Sequence, residues 1–85
     1  MRTILIAHSD LMGRNICFLR RERRISMDQF CRMFDIPKDM LLALELGESR
    51  DIYLDAYMAM AEEFGIDADD LMRKDYTNYP DDPDD

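Results

Sequence analysis

Two short helical segments with only a tight turn between them set the tightest constraint on how this chain folds. Ser26 has the form of a capping-box residue and predicts a helix over Met27–Phe34. Asp35 tolerates the left-handed backbone that a tight turn needs. A second helix is predicted over Pro37–Leu46, because proline suits a first helical position and Gly47 suits a C-cap. A helix-turn-helix arrangement is therefore expected near the middle of the chain.

Three further helices are expected to flank this pair. Apolar residues at helical spacing predict the first over Leu11–Glu22. Asp51 suits the cap of a fourth helix that runs through Phe64, and Asp67 suits the cap of a short last helix. The residues expected to face the core of the second and fourth helices are Phe30, Met33, Phe34, Leu54, Tyr57, Met58, Ala61 and Phe64. The fold class predicted is a compact, all-α, five-helix domain over residues 10–74.

The two ends of the chain differ in composition from this domain. Residues 3–7 are apolar and predict an N-terminal arm or strand within residues 1–9, with Ile4 and Ile6 as candidate interface residues. Residues 75–85 are acidic and interrupted by proline, which predicts a disordered tail. The net charge of −8 is uneven, because residues 1–50 carry +2 and residues 51–85 carry −10. Any contact with nucleic acid must therefore come from a local basic surface.

Several classes of protein are not favoured by the sequence. The apolar run near the N-terminus is too short for a signal-peptide core or a membrane span, so a cytoplasmic protein with no membrane partner is expected. His8 is the one histidine, and it has no metal-ligand pattern around it. No phosphate-binding glycine loop or nucleophile–base arrangement is present in the sequence. We therefore expect no enzyme activity, no metal and no cofactor.

The joint spacing of residues from Gly13 to Leu71 resembles the lambda-repressor-like (Cro/cI, xenobiotic-response-element) helix-turn-helix domains. The stretches that carry the resemblance are Gly13, Ile16, Leu19-Arg20, Ile25-Ser26, Phe30-Cys31, Ile36, Leu41, Leu44-Glu45, Gly47, Ala61, Phe64-Gly65-Ile66 and Leu71. The resemblance implies a transcriptional regulator that binds double-stranded DNA as a homodimer. It also implies a buried ion pair between Arg20 and Glu45 that ties the first helix to the recognition helix.

The recognition helix implied by the resemblance is the segment 37–46, and its composition is atypical. Relatives place polar side chains there to read base edges, and they begin the preceding helix with glutamine where this chain has Met27. The candidate DNA contacts carried over to this chain are Ser26, Arg32, Lys38, Asp39, Leu42, Ala43 and Arg50. Asp39 would repel phosphate, and the leucine offers only apolar contact with thymine methyl groups.

Two alternatives to DNA binding remain open at the level of sequence. In the first, the chain is a degenerate helix-turn-helix scaffold that contacts a protein partner through an apolar patch of Met40, Leu42 and Leu46. In the second, some of these residues are covered by the N-terminal segment or by the second subunit of a homodimer. The acidic tail is interpreted as a solubilising segment, with an autoinhibitory contact to the arginines at 20–24 as the alternative.

Overall fold

Five helices and two short strands make up residues 1–77, the part of the chain that the computed structural model describes. The helices are α1 (Leu11–Glu22), α2 (Met27–Phe34), α3 (Lys38–Glu45), α4 (Leu54–Phe64) and α5 (Ala68–Arg73), and the strands are β1 (Ile4–Ile6) and β2 (Asp51–Tyr53). The predicted number of helices and the bounds of the first two are confirmed. The third helix is one residue shorter than predicted at each end, because its flanking residues act as caps.

Local capping chemistry agrees with the sequence prediction at both ends of α2, at the end of α4 and at the start of α5. The Ser26 hydroxyl accepts a hydrogen bond from the Gln29 backbone N–H at 3.1 Å, which satisfies a donor that the first turn of α2 leaves without a helical partner. Asp35 ends α2 in the left-handed region with a φ of 55°. Gly65 ends α4 in the same region, and the Asp67 carboxylate accepts from the Asp69 N–H at the start of α5. These features depend on neighbours within a few residues.

The all-α prediction is wrong in one respect, because β1 and β2 form a two-stranded antiparallel sheet. Its register pairs Ile4 with Tyr53 and Ile6 with Asp51. The prediction that Asp51 caps α4 is also wrong, since Tyr53 occupies the N-cap position and α4 begins at Leu54. The segment leaves helical geometry because the N-terminal strand supplies a hydrogen-bonding partner about 50 residues distant, which local helix signals do not reveal.

The core lies between α1 and the other elements. It is lined by apolar side chains that are buried from solvent: Met12, Ile16, Leu19, Phe30, Phe34, Leu41, Leu44, Ile52, Tyr57, Met60, Phe64 and Leu71. The predicted inward positions of Met33, Leu54 and Met58 are wrong, because these side chains are 42%, 37% and 51% exposed. In α4 the predicted burial of Tyr57, Ala61 and Phe64 is confirmed, and Ala56 and Met60 are buried in addition.

Helix α1 is the centre of the packing because it contacts both α3 and α5. A Cβ atom on Gly13 would lie 2.2 Å from the carbonyl oxygen of Leu44, so only glycine allows α1 and α3 to approach this closely. At the α5 side, the fully buried Asn15 amide donates to the Leu71 and Lys74 carbonyls at 2.8 and 2.6 Å. These carbonyls lie at the end of α5, where the helix itself provides no donor.

The remaining predictions for the ends of the chain are tested only in part. Residue 76 still contacts the domain, since its backbone N–H donates to the Asn15 side-chain oxygen at 3.0 Å. The predicted disordered tail extends to residue 85, and residues 78–85 lie outside the described residues. Within residues 1–77, no helix has the length and apolar character needed to cross a membrane.

Candidate functional site

The position of α3 is fixed by a buried ion pair. The Arg20 guanidinium on α1 donates to both carboxylate oxygens of Glu45 on α3, at 2.7 and 2.8 Å, and a third hydrogen bond of 2.7 Å reaches the Ile25 carbonyl. The two side chains are 9% and 6% exposed. This is the contact that the family resemblance implied. Because a bidentate pair defines an orientation as well as a distance, it holds α3 and the loop before α2 in a set relation to α1.

The start of α2 and the start of α3 meet at the surface. Lys38, the first residue of α3, forms an exposed ion pair with Asp28 in the first turn of α2, with 3.0 Å between Nζ and Oδ1. The hydrogen bond from Lys38 holds the pKa of Asp28 below its usual value. Ser26 is exposed beside this pair, and its oxygen is already the acceptor of the α2 cap. Its hydroxyl proton remains able to donate to an anion.

The outer face of α3 is apolar along most of its length. Leu42 and Leu46 are 45% and 61% exposed, and the N-terminal segment does not cover them. Asp39 is exposed on the same face, whereas Met40 and Ala43 are half-buried at its edges. Met40 packs against the core cluster, so the predicted protein-interaction patch is reduced to the two leucines.

The loop after α3 extends this surface toward β1. Gly47 takes a φ of +75°, and the loop that follows lines an open cavity together with Ile6. Arg50 lies in this loop and donates from Nη1 to the His8 carbonyl at 3.1 Å. Among residues 1–77, Arg50 forms no ion pair with a carboxylate, so its positive charge stays available at the surface. The cavity lies between the loop that follows α3 and the end of β1.

The charges around α3 are nearly balanced. Three cations lie on α2, α3 and the following loop (Arg32, Lys38 and Arg50), and four anions lie on these elements and the turn between the helices (Asp28, Asp35, Asp39 and Glu48). All seven are exposed residues. A second group of arginines ends α1, and one of its members, Arg23, lies over the ring of Phe64 at 4.6 Å. The candidate surface is thus neither strongly basic nor strongly acidic.

The candidate site residues predicted from the sequence lie on two surfaces. Ser26, Arg32, Lys38, Asp39, Leu42, Ala43 and Arg50 lie on α2, α3 and the adjacent loop, as their positions in the chain required. Ile4 and Ile6 lie on β1 and are 42% and 67% exposed. Ile6 shares the open cavity with Gly47, the residue next to Leu46, so the two surfaces meet at this point.

Sequence reasoning missed Arg2 and Asn15. Arg2 donates to the Asp55 carboxylate at 3.0–3.2 Å and lies over the ring of Tyr53 at 3.9 Å, which attaches the N-terminus to the start of α4. No local signal could have shown this, because the partners are more than 50 residues apart. Asn15 did carry a signal, since a polar residue inside the apolar stripe of α1 requires a buried partner.

Across residues 1–77, no cluster of three His, Cys, Asp or Glu side chains could hold a metal ion. Both cysteines are free, and burial raises the pKa of Cys17 and of Cys31. Neutral thiols are weak nucleophiles.

Comparison with protein-family models, with curated proteins and with solved structures finds no match for this chain.

Proposed function

We propose that this domain binds double-stranded DNA as a helix-turn-helix regulator, with α3 as the helix that enters the major groove. The observation that carries the proposal is the exposed α2–turn–α3 unit. Its two helices are separated by three residues, and α3 is oriented by the Arg20–Glu45 ion pair on its inner side. In helix-turn-helix proteins the outer face of the second helix contacts base edges.

The groups available for phosphate contact are few. The Ser26 hydroxyl and the guanidinium groups of Arg32 and Arg50 can donate to phosphate oxygens. Lys38 can do so only by giving up its ion pair with Asp28. Leu42 can contact thymine methyl groups but supplies no hydrogen bond, so base discrimination by this helix would be weak.

This composition predicts weak binding that is sensitive to salt. With about three phosphates neutralised per protomer, the affinity should fall by about 40-fold between ~50 and ~200 mM salt. Fluorescence anisotropy with a pool of random double-stranded DNA measures this slope. Arg50→Ala should lower the affinity and flatten the slope, whereas Arg73→Ala on α5 serves as a matched exposed control. Absence of binding at ~50 mM salt would refute the proposal.

A second candidate function is protein binding through α3, and the exposed leucine pair favours it. Leu42 and Leu46 stand where a DNA-reading helix carries polar side chains, and the one lysine of α3 is paired within the domain. If α3 binds a protein, the wild-type domain should form a complex with its native partner, and the Leu42→Lys/Leu46→Lys variant should not. Met33→Lys is the control, because Met33 is exposed to a similar extent on α2.

The same variants separate the two candidates. Lysine at positions 42 and 46 adds positive charge to the DNA-facing surface, so the double variant should bind DNA non-specifically with higher affinity. It should abolish an apolar protein contact, because a charged group would be buried there without a partner. Stronger DNA binding together with an unchanged protein complex would contradict the second candidate.

A further inference from the structure

The outer edge of β1 has unsatisfied backbone groups. The hydrogen bonds from the Leu54 N–H to the Thr3 carbonyl and from the Ala7 N–H to the Arg50 carbonyl are 2.8 and 3.0 Å long. In an antiparallel pair, these bonds recur at every second residue, so the odd-numbered residues of β1 face β2. The N–H and C=O groups of Ile4 and Ile6 therefore point to the other side. The described residues contain no third strand that could receive them.

Apart from the short length of β1, three residues, this edge lacks the features that normally prevent strands from pairing. Residues 3–7 contain no charged residue and no proline, and the side chains of Ile4 and Ile6 are 42% and 67% exposed. Native proteins protect exposed edges with charges, prolines or bulges, or they use the edge as an interface. An apolar edge without such protection favours the addition of another strand.

Charge and backbone chemistry select the strand that can be added. The C-terminal segment 78–85 contains two prolines, which lack an N–H donor, and four aspartates, which would face isoleucine. A second copy of β1 has a free donor and a free acceptor on each outward-facing residue. All 19 acidic residues lie in positions 10–85, so the added strand brings no negative charge of its own to this acidic chain.

We propose that two copies of this protein join through β1 to form a four-stranded antiparallel sheet across a two-fold axis. In the register with full overlap, Ile4 lies opposite the partner's Ile6, and Leu5 lies opposite its own copy. The outward-facing residues then exchange four backbone hydrogen bonds. Opposed residues in such pairs have side chains on the same face, so the two Ile4–Ile6 pairs form one apolar cluster.

The surfaces at both ends of β1 would widen this contact. An open cavity lies between residues 1–3 and the start of α4. Its apolar lining comes from three exposed side chains, those of Met1, Leu54 and Met58. Antiparallel pairing brings residues 7–9 of the second copy alongside this cavity. The same contact is repeated by symmetry at the other end of the strand. The inference deepens the proposed function by defining how two copies associate, and its test needs no DNA.

The experiment measures association and its location together on the full-length protein. Sedimentation equilibrium between ~10 and ~500 µM should show a monomer–dimer transition, because the dimer population depends on concentration. Amide exchange followed by NMR should show the Ile4 and Ile6 N–H groups exchanging about tenfold more slowly at the higher concentration. The Ala7 N–H, which is bonded within the protomer, should change much less and serves as an internal control.

A proline substitution separates dimerisation from folding. Ile6→Pro removes an outward-facing donor and no hydrogen bond to β2, and proline is tolerated on strand edges. This variant should keep its melting temperature measured at low concentration and remain monomeric at ~500 µM. If the proline disturbs the strand itself, Ile4→Lys is the second variant, and it should likewise remain monomeric. Leu42→Thr on α3 is the control and should dimerise like wild type.

Each outcome decides the proposal. A protein that remains monomeric at ~500 µM refutes it. A dimer in which the Ile4 and Ile6 amides stay unprotected, or which Leu42→Thr dissociates, also refutes it, because the interface is then elsewhere. DNA binding by a monomer would leave the proposed function intact while this inference failed, so the two results can be told apart.

Discussion

The Arg20–Glu45 ion pair offers the sharpest test of what holds this domain together. Arg20→Ala removes three hydrogen bonds from a site where the two side chains are 9% and 6% exposed. It leaves the Glu45 carboxylate and the Ile25 carbonyl without that donor. Removing one member of a buried pair costs about 3–5 kcal/mol of unfolding free energy, mainly because the remaining charge is not compensated.

This cost is large for a domain of this size. The total free energy of unfolding of small domains is about 5–15 kcal/mol, so the substitution should remove about a fifth of it or more. Since about 1 kcal/mol shifts the melting temperature of such a domain by roughly 4–8 °C, we expect a decrease of about 12–40 °C. The hydrogen bond to Glu45 raises the pKa of Arg20 above an already high value, so the guanidinium stays charged at any accessible pH.

The assay is thermal unfolding followed by circular dichroism, with urea unfolding as an independent measurement. Arg21→Ala is the control, because Arg21 is an exposed arginine on the same helix and should change stability by no more than about 0.5 kcal/mol. In a double-mutant cycle, Arg20→Ala and Glu45→Ala together should cost clearly less than their sum. A melting temperature lowered by less than about 4 °C in Arg20→Ala would refute the reasoning.

Two other buried polar groups lead to predictions. Asn15→Ala leaves the carbonyls of Leu71 and Lys74 without their amide donor, so urea unfolding should show a loss of about 2–4 kcal/mol, and an unchanged midpoint would contradict this role. Burial raises the pKa of Tyr57 from 10.0 to about 12. Ionisation is therefore harder in the folded chain. The stability should be unaffected by this group below pH ~10 and should fall by about 2–3 kcal/mol as the pH rises to ~12. Tyr57→Phe should lack this component of the alkaline loss, and identical pH profiles for the two proteins would contradict the assignment.

The limits of sequence reasoning follow from the distance over which each feature is determined. The Ser26 cap, the left-handed Asp35 and the bounds of α1 and α2 depend on residues within a few positions, and all of them were predicted correctly. Two of the five positions predicted to face inward from α4, Leu54 and Met58, were wrong because that helix has apolar residues on more than one side. Which of them face the core depends on where α2, α5 and β2 lie, and no residue within α4 carries this information.

The candidate surface on α2 and α3 was also predictable only in part. The sequence shows which residues belong to it, because they follow from the predicted helices, but it does not show the net charge of the surface. The Lys38–Asp28 ion pair joins two helices across the turn, and it changes the one lysine of α3 from a free cation into a paired one. The positions were therefore predictable from the sequence, whereas the balance of charge at the surface was not.

The amino-acid sequence alone determined the number of helices, the bounds of α1 and α2, the caps of α2 and α5 and the tight turn between α2 and α3, because these depend on interactions between near neighbours. The tertiary structure decided that residues 51–53 form a strand, since β2 exists only where β1 is brought beside it. It also decided that Ile4, Ile6, Leu42 and Leu46 stay exposed while Leu5 packs against the core. A strand needs a partner and a side chain is buried only by what packs on it, so both outcomes depend on residues far apart in the chain.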